Sequence, residues 1–177
     1  MNYALFDTAL GTCGLVWGER GLVGVLLPEG SSSRLRASVA RRFPGAVLAP
    51  ATPDVQQAID GIVALFAGEK RDLREIVLDF EGVPDFNRRV YELARAIPPG
   101  ATMTYGDLAR RLNAPGMARA VGQALGQNPW PIVVPCHRVL AAEGGMGGFS
   151  APGGVSTKRQ MLEIEGVQGV QAPPRLF

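Results

Sequence analysis

Cysteine and histidine are scarce in this 177-residue sequence: Cys13, Cys136 and the single His137. Two thiols cannot build a disulfide framework, and with one imidazole they fall short of a four-ligand Cys/His zinc site, so neither a metal nor another cofactor is expected. No run of about 18 consecutive apolar residues occurs, so no membrane association is expected. The opening Met1-Asn2-Tyr3-Ala4-Leu5-Phe6-Asp7 lacks the basic and long apolar regions of a signal peptide, which gives a cytoplasmic location as the expectation. The 23 glycines and 14 prolines follow no repeating period, which excludes collagen-like and tandem-repeat architectures and leaves them as loop punctuation. What is present is a 46% hydrophobic fraction beside 19% charged residues, enough apolar material for a sizeable core.

Net charge is only +2, but it is unevenly distributed. Residues 1–83 hold eight Arg/Lys against ten Asp/Glu, whereas residues 84–177 hold ten against six, and nine of those ten are arginines. An arginine-biased basic half suits phosphate or base-edge recognition, and equally a solvated helix surface.

The composition changes near Glu81-Gly82-Val83-Pro84, which divides the chain into an N-terminal segment, 1–83, and a C-terminal one, 84–177. In the first, Tyr3–Asp7, Cys13–Gly18 and Gly21–Leu27 are predicted as a strand meander, Ser32 to Phe43 and Pro53 to Phe66 as helices, and Ile76–Phe80 as a return to strand. This segment reads as α+β or α/β, with a structural role. After the boundary helices dominate. Asp85 to Ile97 places Phe86, Val90, Leu93, Ala94 and Ile97 on one face, and Pro98-Pro99-Gly100 ends it. Thr104-Tyr105-Gly106-Asp107 carries a capping-box variant before Leu108, Ala109 and Leu112. After the break at Asn113-Ala114-Pro115-Gly116, Met117 to Gly126 is a second short helix, making a helix-turn-helix. Such pairs also occur in proteins that never meet nucleic acid.

The second helix has two unlike faces. Val121, Ala124 and Leu125 suit a core, while Arg119, Gly122, Gln123 and Gly126 present one long cation among small or uncharged residues. Glycine within a helix costs roughly 0.5–1 kcal/mol relative to alanine. Close approach of a partner, either a nucleic-acid groove or another helix, accounts for that cost.

Ile132-Val133-Val134, bounded by Pro131 and Pro135, is predicted as a short buried strand delivering Cys136-His137-Arg138-Val139. Cys13, inside a predicted strand, reads as an inert small hydrophobe. Cys136 is different: a histidine and an arginine follow it, so the local field is expected to favour the reactive thiolate. Neighbours in a strand point to opposite faces, so His–Cys contact needs a turn or a bridging water.

Pro135-Cys136-His137-Arg138-Val139 resembles the active-site signature of the O6-alkylguanine-DNA alkyltransferases, the methylated-DNA–protein-cysteine S-methyltransferases. Further motifs in order carry the same resemblance: Phe86 to Tyr91 with Ile97 to Gly100, Thr104 to Ala109, Ala118 to Gly122, Asn128-Pro129-Trp130-Pro131, and Gly148-Phe149-Ser150 followed by Gly153-Gly154 and Leu162 to Gly166. They span roughly residues 84–166; the first 83 residues match only in length and element order.

The resemblance implies a ribonuclease H-like sheet-plus-helix domain followed by a winged-helix-like domain. It implies a monomeric DNA repair protein that flips O6-alkylguanine from a duplex, through the minor groove, and moves the alkyl group irreversibly onto its own cysteine. Cys136 is then the acceptor, His137 the base acting through water, Glu165 its orienting partner and Tyr105 a proton donor to guanine N3. Asn128, Val139, Phe149 and Ser150 fall at substrate-binding positions, the Ser150 amide toward O6 and the Val139 carbonyl toward the exocyclic amine. Arg119 falls where the family fills the gap left by the extruded base, with Thr104, Ala118, Ala120, Gly122 and Gln123 along the DNA. Departures exist: Phe149 replaces a common tyrosine, the loop Ser150 to Val155 is slightly long, and the structural zinc of human-type relatives has no ligands here. Two other readings are a non-catalytic alkyltransferase-like protein, which typically carries tryptophan at the cysteine position, and a thiol hydrolase built on Cys136 and His137.

Overall fold

The computed structural model describes residues 1–147, 149 and 153–168, with the side chain of Glu143 left aside. The protein is α+β. Strands β1 (Asn2–Thr8), β2 (Gly11–Gly18) and β3 (Gly21–Leu26) form an antiparallel meander, and β4 (Val47–Leu48), unforeseen from the sequence, pairs parallel to β1, giving the order β3-β2-β1-β4. Alternation along β2 covers both faces of the sheet. Cys13, Leu15 and Trp17 pack into the main core with α2 (Pro53–Phe66), while Val16 packs with Leu35 and Val39 of α1 (Ser32–Arg42). Both helices begin at side-chain caps: Ser31 accepts from the Arg34 amide and Thr52 from the Val55 amide.

Ile76–Phe80 is not a strand. Only Leu78 bridges β3, with Leu22 N donating to Val77 O (2.9 Å) and Asp79 N to Leu22 O (2.8 Å). The Arg95 guanidinium takes the carbonyls of Leu73, Arg74 and Ile76, which removes those acceptors from any longer ladder.

In the C-terminal segment α3 (Asp85–Ala94) stops short of Ile97, because Pro98 supplies no amide donor and disfavours helical geometry in the residue before it. Then β5 (Met103–Thr104) leads directly into α4 (Tyr105–Arg111), and α5 (Ala118–Gly126) follows. At the start of α4 the capping box is closed at both bonds: Thr104 Oγ1 accepts from Asp107 N and Thr104 N donates to Asp107 Oδ2, each 3.0 Å. Strand β6 (Val139–Leu140) pairs parallel with β5, and α6 (Gly154–Ile164) closes the fold.

One hydrophobic core runs through both segments, and Trp130 is its hinge pin. Its ring meets Phe80 and Tyr91 edge-on, its indole N–H donates to Leu22 O (2.8 Å), and Val25 N donates to Pro129 O (2.9 Å). The turn leading to Cys136 is thereby tied to the sheet. Among the described residues no helix is long and apolar enough to cross a membrane.

Candidate active site

The segment expected to be a strand, Ile132–Val134, is a turn. Pro131 and Pro135 have no amide to give to a ladder, and Val134 N instead donates back to Trp130 O (2.9 Å). Ile132 sits at φ +80°, a region that costs a β-branched residue about 1–3 kcal/mol and persists only when its surroundings fix it. Asn128 does much of that fixing: its Nδ2 donates to Val134 O (3.0 Å) and its Oδ1 accepts from Trp130 N (2.9 Å). Cys136 N then donates to Val134 O (2.7 Å) and Arg138 N to Pro135 O (2.9 Å), so Cys136–Arg138 form one 3₁₀ turn. This turn removes the strand geometry that would have pointed Cys136 and His137 to opposite faces.

Behind the turn lies a buried charge network. His137 is fully buried, and its Nε2 meets Glu165 Oε1. Arg138 grips the same carboxylate through Nε (2.8 Å to Oε2) and NH2 (3.0 Å to Oε1), while its NH1 donates to Ile97 O (2.7 Å). Burial pushes the Glu165 carboxyl up, but the His137 hydrogen bond and the neighbouring positive charge outweigh it and hold the group at about 2. For His137 burial dominates and lowers the pKa, with Glu165 opposing. The imidazole is therefore neutral at pH 7, and Arg138 supplies the cation that keeps Glu165 ionised. An ionised carboxylate only accepts, so Nε2 carries the ring proton and Nδ1 the lone pair. Nδ1 is buried and has no hydrogen-bond partner among the described residues, which makes it the basic atom of the site.

Cys136 is 8% exposed and lines an open cleft, whereas Cys13 is sealed in the core with its thiol pushed up to about 12 by burial. Burial also raises the Cys136 thiol; the Asn128 side chain, the charge of Lys158 and the amides of Cys136 and His137 pull the other way without overturning it. The adjacent arginine does not hold sulfur as thiolate, contrary to the expectation from sequence, because its charge is committed to Glu165. The resting group is a thiol that needs a base.

Lys158, which no sequence motif above includes, completes the surroundings. It is fully buried in α6, donates from Nζ to Val139 O (2.7 Å) and Met146 O (2.5 Å), and lies 5.8 Å from the Tyr105 ring centroid. Burial lowers its pKa to about 8 and the Cys136 sulfur opposes that shift. The Val139 carbonyl is thus already in use, with one lone pair left. Lys158, Met161, Leu162 and Glu165 share one buried face at i, i+3, i+4 and i+7, the stripe that could have disclosed the lysine.

Tyr105 opens α4, half-buried, and burial raises its pKa, so it keeps its hydroxyl proton at neutral pH. A Cβ on Gly147 would come 2.8 Å from that hydroxyl, and Gly147 also has φ +66°, so only glycine fits beside it.

The cleft, about 1770 Å³, exceeds the roughly 300–1,000 Å³ of a small-molecule pocket. Cys136, Tyr105, Thr104, Asn128 and Phe149 line it together with Ala118, Arg119, Gly122 and Gln123 of α5. Ala120 is not on that lining, Thr104 has its hydroxyl in the helix cap, and Ser150 lies outside the described residues. On α5 the core side is Val121, Ala124 and Leu125, as expected. Among the described residues a Cβ on Gly122 would meet only the Tyr105 ring, at 3.9 Å, so packing there does not demand glycine.

A family model described as 6-O-methylguanine DNA methyltransferase, DNA binding domain, matches residues 85–167. The chain is 36% identical over 154 residues to a methylated-DNA–protein-cysteine methyltransferase of Methanothermobacter thermautotrophicus, covering 87% of this chain and 79% of that protein. It is 52% identical over 97 residues to the protein of the same description from Thermococcus kodakarensis, covering 54% and 52%. Among solved structures, that of Mycobacterium tuberculosis OGT in complex with DNA matches with a TM-score of 0.77 at 35% identity, covering 93% of this chain and 92% of that one.

Proposed function

Because the chain belongs to the methylated-DNA–protein-cysteine methyltransferase family, we propose that it repairs O6-alkylguanine in duplex DNA by moving the alkyl group irreversibly onto Cys136. The observation that carries this reading is a cleft-lining cysteine, backed by a neutral buried histidine with a free basic nitrogen, in the same cleft as the small-residue face of α5.

Each residue has a chemical task. His137 Nδ1 takes the thiol proton through a bridging water as sulfur attacks the alkyl carbon; Glu165 holds the ring in that tautomer and Arg138 holds Glu165 ionised. The carbon–oxygen bond breaks, and Tyr105 O–H supplies a proton at guanine N3, so neutral guanine leaves. One proton leaves the sulfur and one reaches the base, and the products are a thioether and a repaired base. A thioether offers water no electrophilic carbonyl, so each molecule acts once. Asn128 fixes the turn, Phe149 borders the substrate, and the Val139 carbonyl and the Ser150 amide contact the guanine edge.

The base must first leave the stack, at a cost of a few kcal/mol. Arg119 takes its place, and α5, with Ala118, Ala120, Gly122 and Gln123, lies in the minor groove; Thr104 approaches the backbone. The protein acts as a monomer in the cytoplasm. Residues 1–83 are its ribonuclease H-like support, and residues 84–177 its winged-helix-like DNA-binding and alkyl-acceptor part, in which β5 and β6 flank the helix-turn-helix.

Single-turnover transfer tests this division of labour. Arg119→Ala is expected to slow reaction with an O6-methylguanine duplex by about tenfold or more, on the scale of a few kcal/mol for extrusion, with a much smaller loss on free O6-benzylguanine. Equal losses on both substrates remove the extrusion role, and a wild-type protein that reacts with neither overturns the reading.

A further inference from the structure

Helix α1 is a concentration of one charge within a segment of the other sign. Its eleven residues hold Arg34, Arg36, Arg41 and Arg42 and no acid, half of the eight cations in residues 1–83, which otherwise carry ten acids. All four are exposed, and among the described residues none forms an ion pair. Helix stability does not explain the pattern. Arg41 and Arg42 in the last turn suit the helix dipole, but Arg34 lies in the first turn, where a cation meets the dipole's positive end, and the four repel one another.

Their placement supplies the reason. Arg41 and Arg42 line the same cleft as Arg119, Gly122 and Cys136, and Arg34 and Arg41 line a recess beside it. The cations on the cleft are Arg41, Arg42, Arg110 and Arg119; the acids are Glu29 and Asp107, and Asp107 is occupied by Arg110 and the α4 cap. Arg42 is steadied over the Phe43 ring at 5.5 Å, and Arg41 by Ser38 Oγ at 3.3 Å, so both are held in place without being neutralised.

We propose that Arg41 and Arg42 grip the sugar–phosphate backbone of the duplex that α5 enters, making the N-terminal segment part of the DNA-binding surface. The inference rests on the duplex reading above and adds to it a second contact from the other side of the cleft. Phosphate contacts position without reading sequence or lesion, so both alkylated and unmodified duplexes engage them equally.

The test is duplex affinity across a salt series for the full chain, comparing wild type with Arg41→Gln/Arg42→Gln and Arg41→Lys/Arg42→Lys. The Gln pair is expected to bind both duplexes more weakly by the same factor, with the slope of log affinity against log salt shallower by about 1 for each phosphate no longer neutralised, near 2 in all. The Lys pair keeps the charge and is expected to keep the slope. An unchanged slope in the Gln pair, or a Lys pair that loses as much as the Gln pair, overturns the proposal. Wild-type transfer from free O6-benzylguanine, run alongside, needs no duplex; failure there indicts the sulfur chemistry, whereas an unchanged slope indicts the α1 surface.

Discussion

Glu165→Gln is expected to destabilise the protein by about 3–5 kcal/mol and to slow alkyl transfer by about a hundredfold or more. The stability loss follows from burial: Arg138, 5% exposed, would keep one carbonyl partner and lose its counter-ion, and an unpaired buried cation is far worse than a paired one. The rate loss follows from the tautomer. A glutamine amide can donate to His137 Nε2 as readily as accept from it, so Nδ1 no longer holds the lone pair by default. The pH dependence has a definite sign. Glu165 titrates at about 2 in the folded protein against an ordinary 4.5, so the unfolded chain takes up the proton first. The carboxylate's contribution, about 3 kcal/mol, is complete above pH 4.5 and lost as pH falls toward 2. Urea unfolding from pH 7 to pH 3 should show that loss in wild type and a flatter curve in Glu165→Gln. A variant within about 1 kcal/mol of wild type at pH 7 would contradict the network's role.

Lys158→Met separates stability from reactivity. At pH 7 the folded protein holds an ammonium whose pKa burial has lowered from 10.5 to about 8, so its charge works against folding throughout the range below. Methionine relieves that penalty but leaves the carbonyls of Val139 and Met146 without their donor, at about 1–3 kcal/mol each. These effects oppose each other, and the net stability change is expected to stay within about 2 kcal/mol. Reactivity has no such compensation. Lys158 is a cation that lowers the Cys136 thiol, and its removal should raise the sulfur's apparent pKa and cut transfer near neutral pH about tenfold. The readout is the pH profile of Cys136 alkylation by iodoacetamide in a Cys13→Ser background. An unmoved inflection would reduce Lys158 to a packing residue.

These two residues also mark what the sequence discloses. Thr104 and Asp107 announce the start of α4 because a capping box is a local pattern, and the opposed faces of α5 are legible because helical periodicity separates Val121, Ala124 and Leu125 from Arg119 and Gly122. Ile132–Val134 misleads because a β-branched run looks the same in a strand or a turn until its hydrogen bonds are known, and its flanking prolines, which resemble strand boundaries, act as ladder breakers. Lys158 escapes notice because a lysine on a short helix is ordinarily solvated; only its position in the Met161–Leu162 stripe marks it as buried. The commitment of Arg138 to Glu165 depends on a contact 27 residues away, which no local pattern contains. The arginines of α1 disappear when the charge of residues 1–83 is summed, because the acids around them outnumber them.

Intact-protein and peptide mass measurement after incubation with an O6-methylguanine duplex tests the central claim most directly. The account requires a gain of about 14 Da, one methyl per molecule, on the peptide containing Cys136, and no gain in Cys136→Ser. An unchanged mass, or a methyl found on Cys13, would contradict it.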